Sequence, residues 1–219
     1  MKRLYIVVEG QTEQEFVRTV MAKYLTNYRI YSVAAVPVKT SKTGRGGLVN
    51  YQHLKNTIQG LLKESNSKDM LVTTFVDYFR IPSNMPGYEQ MAGLASSYEK
   101  VSVLERAMSQ DINDIRFVPY IQLHEFEALL FSDNSGFEYY YKPDISSKTA
   151  RIVEEFANPE DINSKPETSP SNRIMAIIPQ YEKVVHGNLI ALTIGIEPIL
   201  KRCPRFAQWT ESIVKKICE

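Results

Sequence analysis

The chain has 219 residues, with 26 Lys and Arg against 25 Asp and Glu for a formal charge of +1, and is 43% hydrophobic and 23% charged. Those proportions belong to an ordinary globular protein large enough to bury a core without staples. They exclude a global electrostatic drive toward nucleic acid or acidic membranes, though a local patch can still act where net charge does not.

Cys203 and Cys218 fit no metal-ligand spacing and read as the reduced thiols of a cytoplasmic protein. The first apolar run is too short for a signal peptide and is interrupted by Glu9. No apolar run approaches the length needed to cross a bilayer. The expectation is a cytoplasmic protein with no membrane partner.

In chain order, Leu4–Val8 is a β-branched and aromatic run of the buried-strand kind, ending in Glu9-Gly10. Apolar residues at Phe16, Val17, Val20, Met21, Tyr24 and Leu25 recur at helical spacing over Glu13–Thr26, with Thr12 and Glu15 placed as a capping box. Arg29–Val38 reads as a second strand. A basic, glycine-rich loop follows with Lys39, Lys42 and Arg45. Tyr51–Leu62 is amphipathic, and Asp69–Val76 is the next strand, ending in Asp77. This alternation predicts a parallel, doubly wound sheet.

Beyond a loop with Pro82, Pro86 and Gly87, the pattern predicts a helix over Gly93–Met108. Ile115–Gln122 reads as a strand that its internal Pro119 confines to an edge or a bulge, and Leu123–Phe131 reads as helical. Ser132–Lys142 is aromatic and irregular. Helices are expected over Ser146–Phe156, Ser171–Tyr181, Asn188–Gly195 and Phe206–Ile217. The expected organisation is an α/β core over residues 1–135 and a helical extension over 136–219 packed on it.

Several residues in this pattern suit chemistry. Glu9 and Asp77 end strands, and parallel strands put their carboxyl ends on one edge, where open α/β sheets bind ligands. Oxygen-rich acidic groups suit Mg²⁺ or Mn²⁺, and a metal held there can act on a phosphodiester. Strand-end acids are also common as turn and cap residues, so either alone says little. His124, Glu125 and Glu127 follow another strand on the same edge, and on a helix His124 and Glu127 share a face. Glu125 and Glu127 equally suit a helix N-terminus. The HExxH zinc pattern is not met, because residue 128 is alanine. The glycines and bases of the Lys39–Gly47 loop suit a phosphate, without the Walker pattern. Tyr139–Tyr141 either stack on bases or cover core, the second being commoner.

The stretches VEGQTE (within Leu4–Glu13), TTFVDY (Thr73–Tyr78) and RFVPYIQLHEFEALLFSD (Arg116–Asp133) resemble the DUF4276 family. So do Ser169–Tyr181, Gly187-Asn188, Ile194-Gly195 and Cys203–Phe206. The resemblance spans nearly the whole chain. It implies a Toprim-like α/β fold, a parallel sheet flanked by helices with a C-terminal helical extension.

Toprim-type proteins carry a glutamate after the first strand, matched by Glu9, and an acidic pair DxD after a later one, of which Asp77 matches the first acid. Phe79 stands where the second acid belongs. The resemblance thus implies a metal-dependent nuclease with Glu9 and Asp77 on Mg²⁺ or Mn²⁺. Glu125, Glu127 or Glu13 would supply the missing ligand, Glu9 or His124 the acid–base group, and Lys39, Lys42 and Arg45 the phosphate grip. It further implies RNA, such as tRNA, or DNA as substrate. An ABC-type ATPase is the implied partner in bacterial anti-phage defence of the PARIS type, with a homodimer also open. The alternative is a non-catalytic docking or regulatory subunit of an ATPase complex.

Overall fold

A computed structural model of the chain describes residues 3–38, 48–64, 69–163, 165 and 167–218. The sheet is parallel, in the order β2-β1-β3-β4, with β5 also pairing with β3. β1 (Arg3–Val8) lies between β2 (Ser32–Pro37) and β3 (Met70–Asp77), with Val8 beside both Pro37 and Phe75. The expected α/β class, a parallel sheet flanked by helices, is the one the chain adopts.

β1 and β3 read as continuous apolar runs because both their faces are covered. Strand alternation divides the residues between two cores. Leu4, Ile6, Val8, Leu71 and Phe75 enter one, and Val7, Met70, Val72 and Val76 the other.

The predicted edge strand is two short pieces, β4 (Phe117–Val118) and β5 (Ile121–Gln122), on either side of Pro119. Thr74 fills the resulting gap in the ladder: its hydroxyl accepts from the Tyr120 N–H and donates to the Tyr120 carbonyl, each at 2.8 Å. A side chain there replaces the ladder bonds that a proline-containing strand forgoes.

The first helix is α1 (Gln11–Phe16), carried on by a π-helical turn over Val17–Met21 and by α2 (Ala22–Leu25). Its cap differs from expectation. Gly10 occupies the N-cap, and its N–H donates to Glu13 Oε2 at 2.9 Å, so Glu13 and not Glu15 is the capping acid. α3 (Tyr51–Glu64), α4 (Tyr88–Met91) and α5 (Ser97–Ile112) follow. α5 begins and ends four residues later than predicted, because Ser96 provides the extended N-cap and Asn113 the left-handed stop, at φ 51°.

Leu123–Phe131 is not an α-helix. His124 has φ 65°, which breaks any helix there, and a 3₁₀ turn starts only at Phe126 and runs to Ser132. The chain then forms α6 (Ser135–Tyr140), in a stretch expected to be irregular, and α7 (Pro143–Glu155). α8 (Pro170–Ile177), α9 (Asn188–Ile194), α10 (Ile196–Arg202) and α11 (Pro204–Cys218) complete the order. Tyr139 and Tyr140 are exposed, whereas Tyr141 packs against the core.

α3 and α5 cover one face of the sheet with Leu54, Ile58, Leu104 and Met108. On the other, residues from α1, α10 and α11 share one cluster with Phe126, Leu130 and Phe137. Trp209 of α11 stacks on Tyr120 at 4.3 Å between ring centroids and donates to Thr73 Oγ1 of β3 at 2.8 Å. Among the described residues no single helix is long and apolar enough to cross a membrane.

Candidate active site

The carboxyl ends of β1 and β3 open into a cleft of about 700 Å³. Glu9, Glu13, Asp77, Glu125 and Lys183 line it, with Phe79 and Arg80 on one wall. Glu9 and Asp77 meet because their strands are neighbours in register. Glu9 bridges two segments: Oε1 accepts the Leu48 N–H at 3.1 Å and Oε2 accepts the Asp77 N–H at 3.2 Å. Asp77 Oδ1 in turn accepts the Phe126 N–H at 3.0 Å, which ties β3 to the start of the 3₁₀ turn. That turn carries Glu127, only 1% exposed, beneath the cleft.

These carboxylates disturb one another. Burial, then the charges of Glu13, Glu9 and Glu127, pushes Asp77 well above the ordinary range. Burial, then Glu9 and Glu127, raises Glu13 to about 7. Burial likewise raises Glu9 and Glu127, despite backbone N–H donors to the first and Lys183 beside the second. Glu125 is also buried, and both its oxygens are engaged at the N-terminus of α8. Oε2 accepts the Ser171 N–H at 3.0 Å and Oε1 the Ser171 hydroxyl at 2.9 Å.

Lys183 is the site residue that the sequence did not single out. It opens a π-helical turn over Lys183–Gly187, far along the chain from the strand ends, and no local pattern marks it. Its ammonium lies 3.1 Å from Glu127 Oε1 and 3.6 Å from Glu125 Oε1. Burial alone would lower its pKa, but Glu127, Glu125 and Asp77 overcome that and raise it.

Two packing details hold the turn in place. Asn188 Nδ2 donates to the Thr12 carbonyl at 3.2 Å, and a Cβ on Gly187 would stand 2.6 Å from the Tyr181 hydroxyl. The motifs Ser169–Tyr181 and Gly187-Asn188 therefore brace the cleft from behind, the first through Ser171 on Glu125 and the second by seating the turn that carries Lys183.

Phe79, standing where a second acid was expected, lines the cleft with the Arg80 guanidinium 5.0 Å over its ring. His124 is not brought to the cleft. It is 5% exposed, its ring interacts with Glu160 and Asp161, and burial lowers its pKa to about 4. Its backbone carbonyl instead accepts the Phe79 N–H at 2.8 Å. The expected shared helix face of His124 and Glu127 is lost with the helix. Lys39, Lys42 and Arg45 lie outside the described residues.

The donors around the cleft are carboxylate oxygens, which suit a hard divalent cation in chemistry and charge. As they stand, among the described residues, no three His, Cys, Asp or Glu side chains converge on one ion. Lys183 supplies positive charge to Glu125 and Glu127 instead.

The fold and site together define a class: a parallel α/β protein with an acidic cleft at the carboxyl edge of its sheet. The chain belongs to the DUF4276 family, described as a domain of unknown function, whose pattern matches residues 8–213. A comparison with curated proteins returns no match. Among solved structures, the chain is similar to the C-terminal region of the Burkholderia pseudomallei OLD protein, with 11% identity, a TM-score of 0.47 and full coverage of both chains. It is also similar to the C-terminal region of the Xanthomonas campestris pv. campestris OLD protein, with 12% identity, a TM-score of 0.46, and coverage of 100% of this chain and 95% of that one. Both are distant likenesses.

Proposed function

We propose that the protein is a metal-dependent nuclease that hydrolyses phosphodiester bonds in RNA or DNA. The observation that carries this reading is the gathering of Glu9, Glu13, Asp77 and Glu125 on one cleft, with Glu127 beneath, at the carboxyl edge of the sheet. Glu9 and Asp77, with Glu13, Glu125 or Glu127, would hold Mg²⁺ or Mn²⁺. A bound ion of this kind polarises a phosphodiester and makes water a better nucleophile.

The chain's own groups do the rest. The backbone N–H groups of Leu48 and Asp77 fix the Glu9 carboxylate, so it presents the same face to each substrate. Phe79 offers a flat apolar wall on which a base can stack, and Arg80 a charge for the adjoining phosphate. Within this reading the protein works beside an ABC-type ATPase in anti-phage defence, as the sequence resemblance implies.

The test is cleavage of tRNA, single-stranded RNA and duplex DNA by the purified protein with Mg²⁺, with Mn²⁺ and with EDTA. Cleavage should need the metal and fall by about 10²-fold or more in Glu9→Gln and in Asp77→Asn. Cleavage unaffected by both substitutions would sink the assignment. One observation favours a second reading, a docking or regulatory module for the ATPase: Phe79 occupies the place of an acid and, among the described residues, no three donors converge. Calorimetric titration separates the two, since a module takes up neither ion at millimolar concentration.

A further inference from the structure

Lys183 differs from the other described charged groups lining the cleft in where it comes from and what it touches. It belongs to the turn over Lys183–Gly187, which packs on α1 through the Asn188–Thr12 hydrogen bond. Its side chain is 45% exposed along the cleft wall, yet its ammonium reaches two acids whose side chains are 1% and 4% exposed. Both oxygens of Glu127 lie within 3.2 Å of it. The other described cation on the cleft, Arg80, lies over Phe79 instead.

Buried carboxylates without a partner are strongly unfavourable, so the ammonium stabilises Glu125 and Glu127 where they stand. Those oxygens are also among the ligands assigned above to a divalent ion. Mg²⁺ sits about 2.0–2.1 Å from its oxygens. An ion on Glu127 would therefore lie within about 5 Å of an ammonium at its present position, where like charges repel. The two cations compete for the same oxygens. A lysine is suited to the exchange, because its flexible four-carbon stem can carry the charge into the cleft without moving the turn.

We infer that Lys183 is the built-in cation of the cleft: it holds Glu125 and Glu127 in the metal-free protein and withdraws when a divalent ion enters. The inference rests on the metal-site reading above and makes Lys183 a regulator of metal uptake. Binding of the ion must displace the ammonium, which weakens apparent affinity and makes the metal-free protein the more stable for it.

The experiment is titration of the full chain with Mn²⁺, followed by calorimetry and by the paramagnetic resonance of free Mn²⁺, so that no cleavage is needed for a readout. Wild type is compared with Lys183→Met and Lys183→Arg. Lys183→Met should bind Mn²⁺ at least about tenfold tighter, having lost one repelling charge, and Lys183→Arg should stay near wild type. Adding Mn²⁺ should also raise the melting temperature of Lys183→Met more than that of wild type. If wild type binds and Lys183→Met binds equally or more weakly, the role of Lys183 is overturned and the metal site stands. If neither binds, both readings fall. Should Lys183→Met fail to fold, Lys183→Gln is read by the same titration, with the same two outcomes.

Discussion

Both oxygens of Glu9 accept backbone N–H groups, and one of them belongs to Asp77, the residue expected to share its work. At this scale the acids are legible as strand-end residues, but what burial does to each is not. Glu160 makes the point away from the cleft. It is fully buried and accepts the Arg205 and Phe206 N–H groups at the start of α11. Burial, against those donors, raises its pKa to about 7 from an ordinary 4.5.

Between those two pH values the folded protein keeps a proton that the unfolded chain has released. Glu160 therefore removes stability as pH rises from about 4.5 to about 7, on the order of 3 kcal/mol. His124 acts in the opposite sense: with a folded value near 4 against 6.5, it adds stability as pH rises through that range. Comparing Glu160→Gln with wild type isolates the Glu160 part. Urea unfolding from pH 5 to pH 8 should show a shallower decline for the variant, and parallel curves would mean that Glu160 is ionised in the fold throughout.

At the scale of elements, the strands were legible because each is a short apolar run with a clear stop, and Pro119 announced the break between β4 and β5. The segment after β5 was not. LHEFEALLF has helical spacing, yet tertiary hydrogen bonds override it: Phe79 and Phe126 draw the backbone to β3 and Asp77, and His124 takes a left-handed conformation. Helix packing likewise hid its key residue. Gly136 in α6 lets that helix lie against α9, where a Cβ would come within 2.7 Å of the Ile190 carbonyl and 3.1 Å of Ile194 Cγ1.

Helix propensity favours alanine over glycine by about 1 kcal/mol, but the nearest obstacle is backbone and cannot rotate away. Overpacking of this kind costs about 1–3 kcal/mol, so Gly136→Ala should destabilise the protein. A thermal or urea melt checks the sign, and a stabilised variant would contradict the packing described.

Across the whole molecule, the sheet and the later helices form a single aromatic-rich core on one face. Phe206 and Trp209 of α11 pack on Phe75 and Tyr120, and Trp209 is hydrogen bonded to β3. Phe206, Trp209, Ile213 and Ile217 together contribute on the order of 10 kcal/mol by burial. That is comparable with the entire stability of a typical domain. A chain ending at Cys203 should therefore lack native structure, and well-dispersed amide NMR signals from it would show otherwise.

The sequence by itself determined the parallel α/β class and the placing of Glu9 and Asp77 at strand ends, because strand identity lies in local runs and periods. The tertiary structure decided which groups share the cleft. It set Glu13 as the helix cap, put Phe79 on the wall, turned His124 away and brought Lys183 beside Glu125 and Glu127. The physical reason is that these meetings are made by packing between segments far apart in the chain, where local spacing carries no signal and burial with charge settles what each group does.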